Sequence, residues 1–203
     1  MAPLVDLHII CLPGRDPEKA IESCRHPGVR LWIADSTGPQ IGKQRADLIA
    51  QGSAPLVAHC DDDDEWLPGG LDALMSAWDS NGGHGGIYGD EERLRADGTR
   101  MVHGGPWSLR SFLTRKSGPH NGILYDRRRL TPHLPLLREH DAGTSILLTR
   151  AMAPFQYVAE IVYRWNQHAT QTIRTRSDMQ EWANRARQAT AEHMRSLYRS
   201  QAR

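Results

Sequence analysis

The sequence predicts an α/β domain: a mostly parallel sheet flanked by helices, closed by a C-terminal amphipathic helix. Three observations predict it. Short apolar runs rich in β-branched residues alternate with helix-like segments over residues 5–60. Asp35 and Asp61 each stand at the end of such a run, where ligands of parallel sheets gather. Residues 178–200 carry Met179, Trp182, Ala186, Ala189, His193 and Leu197 at spacings of three and four, one apolar stripe of a helix.

Taken in order, VDLHIICL at 5–12 predicts the first strand, broken by Pro13-Gly14-Arg15-Asp16. A helix over 16–25 follows, with Asp16 as N-cap and Pro17 at its first position. VRLWIA at 29–34 is a second strand ending at Asp35, IGKQRADLIAQ at 41–51 a helix, and PLVAHC at 55–60 a third strand. A helix over 69–79 puts Leu71, Leu74, Met75 and Trp78 on one face. GIYGDEER predicts a strand, NGILYD another, residues 141–152 a helix and YVAEIVYRW at 157–165 a last strand.

The chain has 203 residues, enough for one core that buries roughly two-thirds of its surface. Residues 1–176 are expected to form one domain, with 177–203 as a helix packed on it. Net charge is +1, but residues 1–92 hold 6 Lys+Arg against 16 Asp+Glu, and residues 93–203 hold 19 against 8. The acidic half calls for cations and the basic half suits phosphates or a polyanion. No stretch of about 18 apolar residues exists, so no membrane helix is expected. The N-terminus lacks a basic region before its apolar run, and Cys11, Cys24 and Cys60 form no CxxC site. Reduced, buried thiols in a cytoplasmic protein are the expectation.

The run Asp61-Asp62-Asp63-Asp64 carries the chemistry. Four adjacent carboxylates repel one another unless something compensates. Hard divalent ions such as Mg²⁺ or Mn²⁺ favour carboxylate and phosphate oxygens, so this run predicts a metal site for a nucleotide-activated substrate.

The segment IGKQRADLIAQGSAPLVAHCDDDDEWLPGGLDAL resembles the core of family 2 glycosyltransferases, which have the GT-A fold. In that family a helix carrying Arg-Asn precedes a strand ending in Asp-x-Asp, then Asp, an aromatic, a proline and a leucine. The resemblance continues through GIYGDEERLRADG, HNGILYDRRRL, REHDAGTSILLTR and YRWNQHATQT, about residues 5–172 in all. It implies a GT-A-like, Rossmann-like sheet with residues 1–92 as the nucleotide- and metal-binding half and 93–176 as the acceptor half. It implies sugar transfer from a nucleoside-diphosphate sugar, a UDP-sugar first among them, to a hydroxyl acceptor with inversion and Mn²⁺ or Mg²⁺.

Residue by residue, the resemblance implies Asp61 and Asp63 as the Asp-x-Asp pair, with Asp63 on the metal and Asp61 on the ribose or an ion-bound water. Asp62 joins them at the donor site, and Asp64 caps the following turn or touches the sugar. Asp35 would face the base or ribose, Arg45 the base or diphosphate, and Asp90 the sugar pocket. His168, in Tyr163-Arg164-Trp165-Asn166-Gln167-His168, would lie by the metal or diphosphate. Asp141 matches the general base, and His120, Asn121 and Trp107 would line the acceptor cleft. Three departures stand out. Cys11-Leu12-Pro13-Gly14-Arg15 replaces the family's Pro-Thr-Tyr-Asn, Arg45-Ala46 replaces Arg-Asn, and His140 replaces the Glu before the base.

The acceptor stays open between a glycan or small molecule and, given Arg127-Arg128-Arg129, a hydroxylated base of DNA. Nucleotidyl transfer would want a glycine-rich basic loop after the first strand, and Pro13-Gly14-Arg15-Asp16 is a thin version of one. A non-catalytic nucleotide-binding module is the third reading. The sequence fixes no oligomeric state.

Overall fold

The computed structural model describes residues 2–36, 41–108, 121–139 and 154–168. The predicted helices over 141–152 and 177–203 lie outside the described residues, as do His120 and Asp141.

The first half follows the alternating sequence pattern. Strand β1 (Val5–Cys11) lies between β2 (Val29–Asp35) and β3 (Leu56–Asp61), parallel to both. Helix α1 (Glu18–Ser23) connects β1 to β2, and α2 (Ile41–Gln51) precedes β3. The Asp16 side chain accepts the Glu18 N–H at 3.0 Å ahead of α1, whose N-cap is Pro17, one residue later than expected. All seven residues of β1 are buried because helices cover both faces of the sheet there. Val5, Leu7 and Ile9 pack with Leu56, Ala58, Ala20, Leu71 and Leu74 on one face. On the other, Ala46 and Ile49 of α2 meet Val57 and Tyr125.

The second half departs from the prediction. After β4 (Glu65–Trp66) and α3 (Gly70–Ala77) come β5 (Gly86–Leu94), β6 (Arg100–His103), β7 (Ile123–Asp126) and β8 (Gln156–Asn166). The spatial order is β2-β1-β3-β7-β5-β8-β4, with β6 paired to β5. Among the described residues β5 and β8 form the third parallel pair, whereas β7 runs antiparallel to both β3 and β5, and β4–β8 and β5–β6 are antiparallel too. The mostly parallel, Rossmann-like sheet flanked by helices is therefore corrected to a mixed, curled half-barrel with short helices. Part of the curl arises where the β5–β8 register slips on either side of Asp90, since a bulge adds local twist and bend.

The misreading has a physical reason. All four residues of β7 are buried, as are the first four of β5. A strand buried on both faces shows no alternation, and an apolar run of that kind reads the same in either direction.

The end of the sheet at the start of β1 is closed by a buried ion network. Asp6, fully buried, accepts from Arg30 Nε at 2.7 Å, Trp32 Nε1 at 3.0 Å, the Ala54 N–H at 2.8 Å and Arg127 Nη2 at 2.7 Å. Burial pushes its carboxyl up, but these donors together bring it down to about 2. Arg127 also donates to the carbonyls of Ala54 and Ile49, tying the chain after β7 to α2. Between this network and the far end of the sheet, His8 and His59 are register partners whose rings meet at a tilt, with centroids 5.8 Å apart. Burial holds both imidazoles neutral, His8 down to about 4 and His59 well below its usual value.

Candidate donor site at the acidic turn

Asp61 ends β3 and pairs in register with Ile10, so residues 62–64 turn beside the exit of β1. This is the carboxyl end of the parallel strands, the edge where such sheets bind ligands. The four carboxylates point four ways. Asp61, with its side chain 46% exposed, pairs with Arg45 of α2. Asp62 is turned inward to the loop after β1, accepting the Leu12 N–H at 2.6 Å and Arg15 Nη1 at 2.8 Å. Asp63 meets Arg15 through Oδ2, and the same oxygen lies 2.5 Å from His168 Nε2. Asp64, 1% exposed, accepts the Tyr163 hydroxyl at 3.0 Å and the Asn166 N–H at 2.9 Å.

That division relieves the repulsion expected of four acids in a row. Burial pushes Asp62 upward, countered by the Leu12 N–H and Arg15 and reinforced by the charge on Asp63. Burial pushes Asp64 well above the carboxylate range, and the charges of Asp61 and Asp63 push it further. The Asn166 N–H and the Tyr163 hydroxyl pull the other way without reversing that direction. Through these two bonds Asp64 ties the turn to β8 and does not cap the turn that follows it.

Strand β8 supplies the second wall. Its antiparallel pairing with β4 sets Glu65 opposite Arg164 and Trp66 opposite Tyr163. The Trp66 and Tyr163 rings meet edge to face at 5.5 Å. The Tyr163 hydroxyl accepts the Asp61 N–H at 3.2 Å, and Asn166 Nδ2 donates to the Asp63 carbonyl at 2.7 Å. The Gln167 N–H, bonded to the Leu94 carbonyl at 2.7 Å, fixes the end of β8 to β5. These contacts carry His168 to Asp63.

The remaining sequence candidates fall around this centre. Asp35 ends β2 opposite Cys11, and its side chain is exposed. Its carbonyl accepts Gln44 Nε2 of α2 at 2.7 Å. Asp90 accepts the Tyr157 hydroxyl at 2.9 Å and the Gly105 N–H at 2.8 Å. A Cβ on Gly104 would fall 2.0 Å from the same Asp90 oxygen, so glycine is required for that approach. Trp107 packs on the cluster containing Tyr88, Tyr125 and Phe155. Asn121 is half-buried. Its neighbour Gly122 has φ +62°, and a Cβ there would lie 2.8 Å from Tyr163 Cβ, which brings this corner against the residue that braces the acidic turn.

Three participants carried no sequence signal as site residues: Arg15, Tyr163 and Asn166. Each acts across 47 or more positions of chain. Each arginine of the triplet behind the DNA-acceptor reading has a partner within the chain. Arg127 belongs to the Asp6 network, Arg128 reaches Asp126 at 2.9 Å, and Arg129 reaches the Gly83 carbonyl. Asp6 lies four residues before Ile10 on β1, so this network is about 13 Å from the acidic turn at ~3.3 Å per residue.

Among the described residues no three His, Cys, Asp or Glu side chains cluster to hold a divalent ion. Asp63 and His168 offer one carboxylate oxygen and one imidazole nitrogen in contact. Two protein ligands of that kind fit Mn²⁺ or Mg²⁺ only when substrate oxygens complete the shell, as these ions accept in phosphate-transfer sites.

No protein-family profile matches the chain, and no curated protein matches it in sequence. Solved structures do match in shape. Residues 1–349 of TarS from S. aureus superpose with a TM-score of 0.56 at 9% identity, over 82% of this chain and 60% of that one. This chain shares its fold with part of TarS. The structure of TarS 1–349 in complex with UDP-GlcNAc matches over 95% of this chain and 66% of that one, at 11% identity and a TM-score of 0.58. The complex of TarS with UDP gives a TM-score of 0.53 at 12% identity, covering 83% and 61%. The chain thus spans about three-fifths of the TarS 1–349 fragment.

Proposed function

We propose that this chain is a glycosyltransferase that takes a sugar from a nucleoside-diphosphate sugar and passes it to a hydroxyl acceptor. The observation that carries the reading is the contact between Asp63 and His168, 105 positions apart in sequence. The resemblance to family 2 glycosyltransferases assigns both residues to the metal and diphosphate. The TarS fold, solved with UDP and with UDP-GlcNAc, supports a UDP-sugar as donor.

In this reading Asp63 and His168 hold Mn²⁺ or Mg²⁺, and the bound ion supplies positive charge that stabilises the departing nucleoside diphosphate. Asp61 faces the ribose or an ion-bound water, with Arg45 behind it to limit its charge. Asp35, on the exposed rim, takes the base or ribose. Asp90 lines the sugar pocket and holds the 104–105 turn in place. Asp141, outside the described residues, is assigned by the resemblance as the base that takes the acceptor's proton. A single base on the face opposite the leaving group gives inversion.

A donor screen with Mn²⁺, reading nucleoside diphosphate release with and without acceptors, tests the proposal. UDP release from a UDP-sugar is the expected result. D141N should then cut turnover while leaving UDP binding intact. No release from any nucleotide sugar overturns the proposal.

A further inference from the structure

The loop after β1 is bound to the acidic turn by two hydrogen bonds to one side chain. Asp62 takes the Leu12 N–H at 2.6 Å on Oδ2 and Arg15 Nη1 at 2.8 Å on Oδ1. The same Nη1 also reaches Oδ2 of Asp63, the oxygen that meets His168. The carboxylate best placed to receive a cation is thus already paired with one from its own chain. Only one nitrogen of the Arg15 guanidinium is used: Nε and Nη2 make no hydrogen bond among the described residues. The Arg15 side chain is 22% exposed, so those donors need not leave a sealed core to reach a ligand. A guanidinium presents a planar fork that matches two phosphate oxygens, and it stays charged at any working pH.

We propose that Arg15 is a displaceable internal cation: it holds Asp63 in the donor-free protein and moves onto the diphosphate when the nucleotide binds, still tethered to Asp62, so that Asp63 is released to a divalent ion. The inference rests on the nucleotide-sugar reading and adds an order to it. The ion alone must compete with Arg15 for Asp63, whereas the ion arriving with a nucleoside diphosphate does not. Each ligand then strengthens the other, and by linkage the factor is the same in both directions. Arg15 also offsets part of the negative charge of Asp62 and Asp63 while the site is empty.

Direct Mn²⁺ binding to the full chain, followed by electron paramagnetic resonance or calorimetry with and without UDP, tests this without reading turnover. The wild-type chain should bind Mn²⁺ weakly alone and at least about tenfold more tightly with UDP, a coupling of ordinary size. R15Q should bind Mn²⁺ alone about tenfold more tightly than wild type and gain less from UDP. R15K keeps the charge but lacks the fork, so its affinity for Mn²⁺ alone should stay near wild type while its coupling to UDP falls. The two variants are independent arms should either fold poorly. Unchanged Mn²⁺ affinity in R15Q, or wild-type coupling in R15K, overturns the proposal. Failure of wild type to bind UDP at all instead overturns the UDP-sugar as donor. The Mn²⁺-only comparison of R15Q with wild type still decides whether Arg15 occupies Asp63.

Discussion

His168 Nε2 lies 2.5 Å from Asp63 Oδ2, although the two residues are 105 positions apart. The contact depends on the β4–β8 pairing and on Asn166, which bonds both Asp64 and the Asp63 carbonyl. If the pair holds an ion, H168A and D63N should each lower kcat/KM by about a hundredfold and move the Mn²⁺ titration midpoint upward. An activity titration against Mn²⁺ checks this. A loss that no Mn²⁺ concentration changes, with the midpoint unmoved, would place both residues outside metal binding.

Asp6 anchors the opposite end of β1. Its carboxyl sits at about 2 in the folded protein against 3.8 ordinarily. The folded state therefore holds this proton less tightly than the unfolded chain. The stability it contributes is complete above about pH 4 and is lost as pH falls through 4 toward 2. A shift of this size corresponds to about 2 kcal/mol. D6N should lower stability at neutral pH by about that amount or more, because Arg127 is left buried beside a neutral partner. It should also flatten the acid limb of a Tm-against-pH curve. An unchanged acid limb in D6N would assign acid sensitivity to other carboxylates.

What the sequence disclosed follows the range of the forces involved. The limits of α2 are those its periodicity predicts, and the three parallel strands β1, β2 and β3 fall where their apolar runs place them. Both are local patterns. The antiparallel course of β7 was invisible because its residues are all buried, and β4, with two residues, is too short to show a period. The site divides in the same way. The resemblance singles out Asp61, Asp63 and His168 from contiguous motifs, and the fold brings Asp63 and His168 into contact. Arg15 stood only as a departure from the family pattern, since its meaning lies in two carboxylates 47 and 48 positions away. Tyr163 and Asn166 read as ordinary members of a strand until β8 reached the acidic turn.

Asp90 holds a corner of the proposed sugar pocket through two bonds, to the Tyr157 hydroxyl and the Gly105 N–H. D90A removes both, so it should release the 104–105 turn and lower Tm by several degrees, about 1–2 kcal/mol in a domain of this size. It should also raise the KM for the donor. D90N retains an acceptor for the turn, so its Tm should stay near wild type, and any change in donor KM then reports the charge alone. Equal thermal losses in both variants would mean that charge, and not hydrogen bonding, holds this corner.

Tyr163 joins the acidic turn to β8 through one oxygen that accepts the Asp61 N–H at 3.2 Å and donates to Asp64 at 3.0 Å. Asp64 is buried beside Asp61 and Asp63, and burial and those charges push its carboxyl upward. Asparagine is close to it in shape, sheds the charge and can still accept the Asn166 N–H. D64N should therefore cost little, whereas D64A strands the Asn166 N–H and the Tyr163 hydroxyl and should cost at least about 2 kcal/mol. Y163F should cost about 1 kcal/mol by leaving the Asp61 N–H without its acceptor. In a double-mutant cycle Y163F and D64A should be less than additive by about 0.5 kcal/mol or more, because each removes the same bond. Chemical denaturation of the two single variants and the double variant supplies the measurement. Strict additivity would mean that the Tyr163–Asp64 bond contributes nothing, and that Tyr163 braces the turn through its ring on Trp66 and its bond to the Asp61 N–H.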